Sequence, residues 1–189
     1  MLDSIKNGVR LIYFLLIFLS TLLLTACGYH LQGQTQLAPP LQRMYLQAPD
    51  PYGTLAHSLQ QALKLSHVQL VSSPQEATTL LVITRDTPSE KLQSVNGTQQ
   101  TRQYELSVTV NFEIQDVHGR TLLGNQSLSE SRTLTIQSNQ ILGSSNEATL
   151  LYQQMRRALA FAIMNRIASK EVTKIVTDAF SPSTSTKTS

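Results

Sequence analysis

The chain is short of cysteine, of charge and of catalytic signatures. A single cysteine, Cys27, stands among 189 residues, so no internal disulfide can form. Charged residues are only 14% of the chain, and 15 Lys and Arg against 12 Asp and Glu leave a net charge of +3. No run of Lys or Arg concentrates that small excess, which excludes the electrostatic footprint of a nucleic-acid binder. P-loop, G-x-G-x-x-G and G-x-S-x-G sequences are all missing. His30, His57, His67 and His118 are scattered, and no two have the helical i, i+4 spacing of a metal pair. Glu105 and Glu113 read as outward charges rather than an acid–base pair. No enzymatic activity, metal or cofactor is expected. What fills the surface instead is Ser, Thr and Gln, on a chain that is 41% hydrophobic and therefore globular.

The longest apolar run lies near the start. Lys6 and Arg10 precede Leu11–Leu24, which is shorter than the ~20 residues a spanning helix needs. It ends at small residues, the pattern of a secretory signal over residues 1–26. Leu24-Thr25-Ala26-Cys27 resembles the lipobox of bacterial lipoproteins. That resemblance implies cleavage before Cys27 and lipidation of its sulfur. Two or more acyl chains, at about 0.8 kcal/mol per buried CH₂, hold a protein on a membrane almost permanently. Gly28 follows the cysteine where aspartate would signal retention in the inner membrane, which implies the outer one. Removing Met1–Ala26 takes away Lys6, Arg10 and Asp3, leaving 13 basic and 11 acidic residues.

Residues 27–40, Gly- and Gln-rich and closed by Pro39-Pro40, read as a lipidated stalk. Residues 41–178 read as one domain, and 179–189 as a disordered tail. Met44, Tyr45 and Leu46 predict a first strand. Asp50 and Pro51 predict a helix start, and Leu55, Leu59, Ala62 and Leu63 continue it on one face to about Leu65. A strand from Thr79 is expected to run to Val95, broken or bulged at Pro88. Asn96-Gly97 is a hairpin signal. Tyr104 to Gln115 alternate apolar and polar without error, the clearest strand in the chain. After a turn at His118-Gly119, Thr121–Ile136 reads as a long strand. Leu122, Leu128, Leu134 and Ile136 share a face there with Gln126, Glu130 and Arg132, so its middle is expected to project beyond the helices. Ser144 and Glu147 form a capping box for a last helix with Met155, Leu159 and Ile163 on its apolar stripe, extending weakly to Val176. The order predicts an α+β two-layer sandwich, a mostly antiparallel sheet of about four strands with two helices on one face.

Arg85, Lys91, Arg102 and Arg132 lie on or near the long strands. One reading makes them solvated charges that discourage edge-to-edge association. The other makes them contacts for an anionic ligand, with Arg suited to bidentate phosphate binding.

Cys27 followed by Gly28-Tyr29-His30-Leu31-Gln32-Gly33 resembles the C-G-[FWY]-H-L-R-G start of the LptE family, the lipopolysaccharide-assembly lipoproteins. Pro49-Asp50-Pro51-Tyr52-Gly53, Asn96-Gly97, Tyr104-Glu105-Leu106 and the Met155 helix are also similar. The resemblance implies a plug inside the lumen of the outer-membrane β-barrel LptD that assists its folding and contacts lipopolysaccharide. Gln32 stands where the family commonly has arginine, and Val95 and Gly143-Ser144 stand where some members are basic. Lipopolysaccharide contact would then fall to Lys91, Arg102 or Arg132, with Arg85 beside them. Other readings are a pilotin-like or accessory lipoprotein of a different barrel machine, and a periplasm-facing hydrolase.

Overall fold

The computed structural model describes residues 37–97, 101–137 and 141–181. The expected signal segment, Cys27 and most of the stalk lie outside the described residues, as does the tail from residue 182. Five strands form one sheet: β1 (Arg43–Gln47), β2 (Gln69–Leu70), β3 (Thr79–Val95), β4 (Thr101–Asp116) and β5 (Thr121–Gln137), in the order β2-β1-β3-β4-β5. Among the described residues three α-helices accompany them: α1 (Thr54–Leu65), α2 (Ile141–Ile167) and α3 (Lys170–Phe180). The fold is α+β, as expected, with one more strand and one more helix. The sheet is mixed: β1 runs parallel to both β2 and β3, while β3, β4 and β5 are antiparallel.

The core lies on one face. Leu81, Ile83, Leu106, Val108, Val110, Phe112, Ile114, Leu123 and Leu134 point from the sheet toward Leu55, Leu59 and Leu63 of α1 and Met155, Leu159 and Ile163 of α2. Leu37 and Ala38, which the sequence assigns to the stalk, are also buried in it, just ahead of a 3₁₀ turn at Pro39–Leu41.

Several boundaries differ from the sequence reading, each for a local reason. Asp50 does not cap α1. Its Oδ1 accepts from the Tyr52 N–H at 3.2 Å in a turn of its own, and α1 begins at Thr54 after Gly53. A Cβ at Gly53 would meet the Asp50 carboxylate and displace it from this turn. The end of α1 is a Schellman motif. His67, at φ +60°, donates to the Lys64 carbonyl at 3.0 Å, and Val68 donates to that of Leu63 at 3.0 Å. The last helix begins at Ile141 rather than at Ser144, so Ser144 is inside it and not its cap. The weak helix propensity of Gly143, Ser144 and Ser145 is overridden in a 27-residue helix that packs through its later turns. The helix also does not run on to Val176. Ser169 accepts from the Val172 N–H at 3.3 Å and starts α3, which turns to bury Val172 and Val176. α3 then continues to Phe180, into the stretch read as tail.

Four bulges decide which side chains face which way. β3 is irregular between Ile83 and Arg85 and again between Leu92 and Ser94, and it pairs regularly through Pro88. Past Gln47 the β1 strand ends, so Pro88 sits on a free edge where no ladder bond is lost. β5 is irregular on either side of Leu123, which is buried in place of Leu122. β5 is buried only at Leu123 and Leu134, toward its two ends, with no buried residue between them. α2 starts four residues after β5 ends and doubles back over it, whereas Thr84–Val95 of β3 are exposed except for Asp86. At 17 residues, β3 is about 55 Å long against about 17 Å for β1, so it outruns its neighbour.

Candidate functional site

The face of the sheet turned away from the helices is set by register. Across β3, β4 and β5 it carries the rows Arg85–Asn111–Ser127, Thr87–Thr109–Ser129, Ser89–Ser107–Ser131 and Lys91–Glu105–Thr133. Nine of these twelve are neutral, and eight are Ser or Thr. They hydrogen-bond along the rows: Ser127 Oγ to Asn111 Oδ1 at 3.1 Å, and Thr109 Oγ1 with Ser129 Oγ at 3.2 Å. Toward the β1 end the same face turns apolar, where Tyr45 and Val71 pack against Ala77, Leu80 and Val82. Short hydroxyl side chains on alternating positions give a flat surface that can donate and accept everywhere and carries little charge.

The Ile83–Arg85 bulge sets the β3 part of this pattern. Without it Arg85 would share the core face with Ile83. The extra residue, Thr84, sends Arg85 to the open face and brings Asp86 inward. There Asp86 accepts from Arg156 Nε at 2.8 Å and from Nη2 at 3.1 Å, a bidentate pair between β3 and α2. One helical turn earlier, the Tyr152 hydroxyl donates to the Ser89 carbonyl at 3.1 Å. Burial raises the Tyr152 phenol above its ordinary pKa, Glu90 adds to this, and Arg156 opposes it. α2 thus replaces β1 as the support of β3 beyond Val82. Beside these contacts is a cleft of about 500 Å³ between the start of α1, β3 and α2, lined by Ala48, Leu55 and Ile83 among others. Of its three charged lining residues, Asp86 and Arg156 bind each other, and Asp50 accepts from the Tyr52 N–H.

The four basic candidates do not come together. Arg85 and Lys91 are on the open face, six residues or about 20 Å apart along β3. Arg102 and Arg132 lie on the helical side, opposite Ile136 and Leu106. Arg132 donates to Glu130 at 3.0 Å and to the Ser131 carbonyl at 2.7 Å. Lys91 stands in register with Glu105, which accepts from Gln93 at 3.2 Å. Two of them thus face one side of the sheet and two the other. Among the described residues, no three His, Cys, Asp or Glu side chains are grouped as a metal site needs, and no helix is both long and apolar enough to cross a membrane.

At the far end of the β4–β5 hairpin, Asp116 is 5% exposed and well supplied with donors. Its Oδ1 accepts from the backbone N–H groups of His118 at 2.9 Å and Arg120 at 2.8 Å, and its Oδ2 from Arg120 Nε at 3.0 Å. The Arg120 N–H above all holds the carboxyl below its ordinary range, against the opposing effect of burial. Gly119, at φ +78°, completes this turn.

The family model for LptE, described as Lipopolysaccharide-assembly, matches residues 41–167, from the end of the 3₁₀ turn to the last residue of α2. The chain belongs to the LptE family. A relative from Yersinia enterocolitica named LPS-assembly lipoprotein LptE is 43% identical over 63 residues, 33% of this chain and 30% of that one. One of the same name from Photorhabdus laumondii is 29% identical over 100 residues, 53% of this chain and 55% of that one. The chain thus aligns with little more than half the length of these LptE relatives at most. The fold is shared with a solved structure titled uncharacterized lipoprotein B from Nitrosomonas europaea, at a TM-score of 0.61 and 22% identity, over 75% of this chain and 90% of that one.

Proposed function

We propose that this LptE-family chain is a non-enzymatic lipoprotein of the outer membrane, anchored through Cys27, that plugs the lumen of the β-barrel LptD and assists its assembly for lipopolysaccharide insertion. The observation that carries this reading is the open sheet face of hydroxyl and amide rows, three strands wide. A barrel lumen is polar, and a surface enclosed by it must satisfy hydrogen bonds without stranding charges. Membership in the lipopolysaccharide-assembly family and the lipobox resemblance at Cys27 support it. Residues 1–26 are then the signal segment and 27–36 the tether. Lipopolysaccharide contact is secondary. Lys91 and Arg85 are its candidates on the open face, and Arg102 and Arg132 on the helical side.

The test is affinity purification of the tagged, lipidated protein from outer membranes in mild detergent, with a high-salt wash. A large β-barrel retained at near-equal stoichiometry is expected. Recovery of the protein alone, or with an unrelated complex, would overturn the plug and favour a pilotin-like or accessory role in another envelope machine.

A further inference from the structure

Among the described residues β5 is the edge of the sheet along all 17 of its residues, and no Pro or Lys interrupts it. Which of its backbone groups are free follows from the hairpin before it. Asn96 donates to the Thr101 carbonyl, so Thr101 and the other odd residues of β4 turn their main-chain groups toward β3, and the even ones toward β5. The Val108 carbonyl, which accepts from Ser129 Oγ at 3.3 Å, agrees. Even residues of β4 from Arg102 to Val110 pair with even residues of β5 from Ile136 to Leu128. The N–H and C=O groups of Ser127, Ser129, Ser131, Thr133 and Thr135 therefore point away from the sheet.

That edge is complementary to itself. An antiparallel second copy with Ser131 opposite Ser131 sets Glu130 against Arg132 twice and Leu128 against Leu134 twice, all on the helical side. On the open side the same register sets Ser129 against Thr133 and Ser127 against Thr135. A shift of two residues would lose both ion pairs. Each copy already holds Glu130 and Arg132 in an ion pair at 3.0 Å, with side chains 33% and 46% exposed, so both are at hand for exchange. We infer that the free chain self-associates as a two-fold dimer through β5, joining two five-stranded sheets into one with both helical layers on the same side. About ten main-chain hydrogen bonds and two Glu–Arg pairs would close the interface. Arg132 has to leave the Ser131 carbonyl to allow this. The alternative role of Arg132 is therefore an edge guard, and the two roles predict opposite effects of removing it. The inference does not rest on the barrel reading, because failure of the barrel to co-purify would leave the edge unchanged.

The experiment is sedimentation velocity on the full lipidated chain, purified in mild detergent without other proteins, across a hundredfold range of concentration. The expected result is a reversible dimer. Arg132→Ala, Arg132→Glu and Glu130→Arg should each weaken it, the charge reversals by about tenfold or more because each acts twice across the axis. The double swap Glu130→Arg with Arg132→Glu should restore it. Ser131→Pro, which removes only an outward N–H, should abolish it while leaving the circular dichroism spectrum unchanged. A wild-type monomer at all concentrations, tighter association of Arg132→Ala, or a double swap that fails to restore the dimer would each overturn the inference.

Discussion

The outer half of β3 is held by β4 along one side, and the Arg156–Asp86 pair ties it to α2. Two charges about 4 Å apart interact by about 4 kcal/mol at an effective dielectric of 20. Desolvation offsets much of this, since the side chains of Arg156 and Asp86 retain only 21% and 19% of their exposure. A net value near 1.5 kcal/mol, that of a good charged hydrogen bond, is what remains. Arg156→Met keeps the stem packed and removes only the guanidinium. It should lower stability by about 1.5–2 kcal/mol and the melting temperature by about 3–6 °C, and Asp86→Asn should do nearly as much. A double-mutant cycle in urea should give a coupling of about 1–1.5 kcal/mol. Amide exchange between Thr84 and Leu92 should speed up about tenfold in Arg156→Met while the β4 core amides hold. A coupling under about 0.3 kcal/mol, typical of a solvated surface pair, with unchanged exchange in β3 would refute the reasoning.

Three further outcomes follow from other parts of the chain. His67→Gly relieves a left-handed backbone held by a non-glycine residue; a gain of about 1 kcal/mol, or about 2–4 °C in thermal melting, is expected, and a loss would mean that the His67 side chain has a role of its own. Because the folded Asp116 carboxyl is held below its ordinary range, its contribution is whole above the unfolded value near 4 and is lost as pH falls through the lowered folded one. The stability gap between wild type and Asp116→Asn, measured in urea, should thus be full at pH 6 and close toward pH 2, and a gap constant with pH would contradict this. If Cys27 carries the anchor, the intact mass of the membrane-extracted protein should correspond to a chain starting at Cys27 with acyl groups added. Cys27→Ser should keep residues 1–26, and an unmodified Cys27 in the wild type would defeat the anchor proposal.

The sequence was most legible where a strand has neighbours on both sides. β4 alternates from Tyr104 to Gln115 because it is central and its two faces meet different surroundings, so period and register could be read together. Its flanking strands could not be read this way. The Thr84 bulge decides that Arg85 goes out and Asp86 in, and the irregularities around Leu123 decide which leucine is buried. A bulge depends on how two strands fit, which neither strand shows alone. The open face was therefore visible on β4 as Ser107, Thr109 and Asn111, while its completion by β3 and β5 was not. For the same reason the sequence did not show that the pleat puts Arg85 and Lys91 on one side of the sheet and Arg102 and Arg132 on the other. Helix ends suffered differently. The αL conformation of His67 and the cap at Ser169 are set by the need to bury Val68 and Val172, and local sequence offered for His67 no glycine to mark the place.

The plug reading stands on what the open face meets in the outer membrane. A photoreactive residue in place of Thr109, at the centre of the hydroxyl rows, probes this in intact cells. The account predicts one major adduct, with a large outer-membrane β-barrel. A face that forms no barrel adduct, or that reacts only with periplasmic proteins, would contradict it.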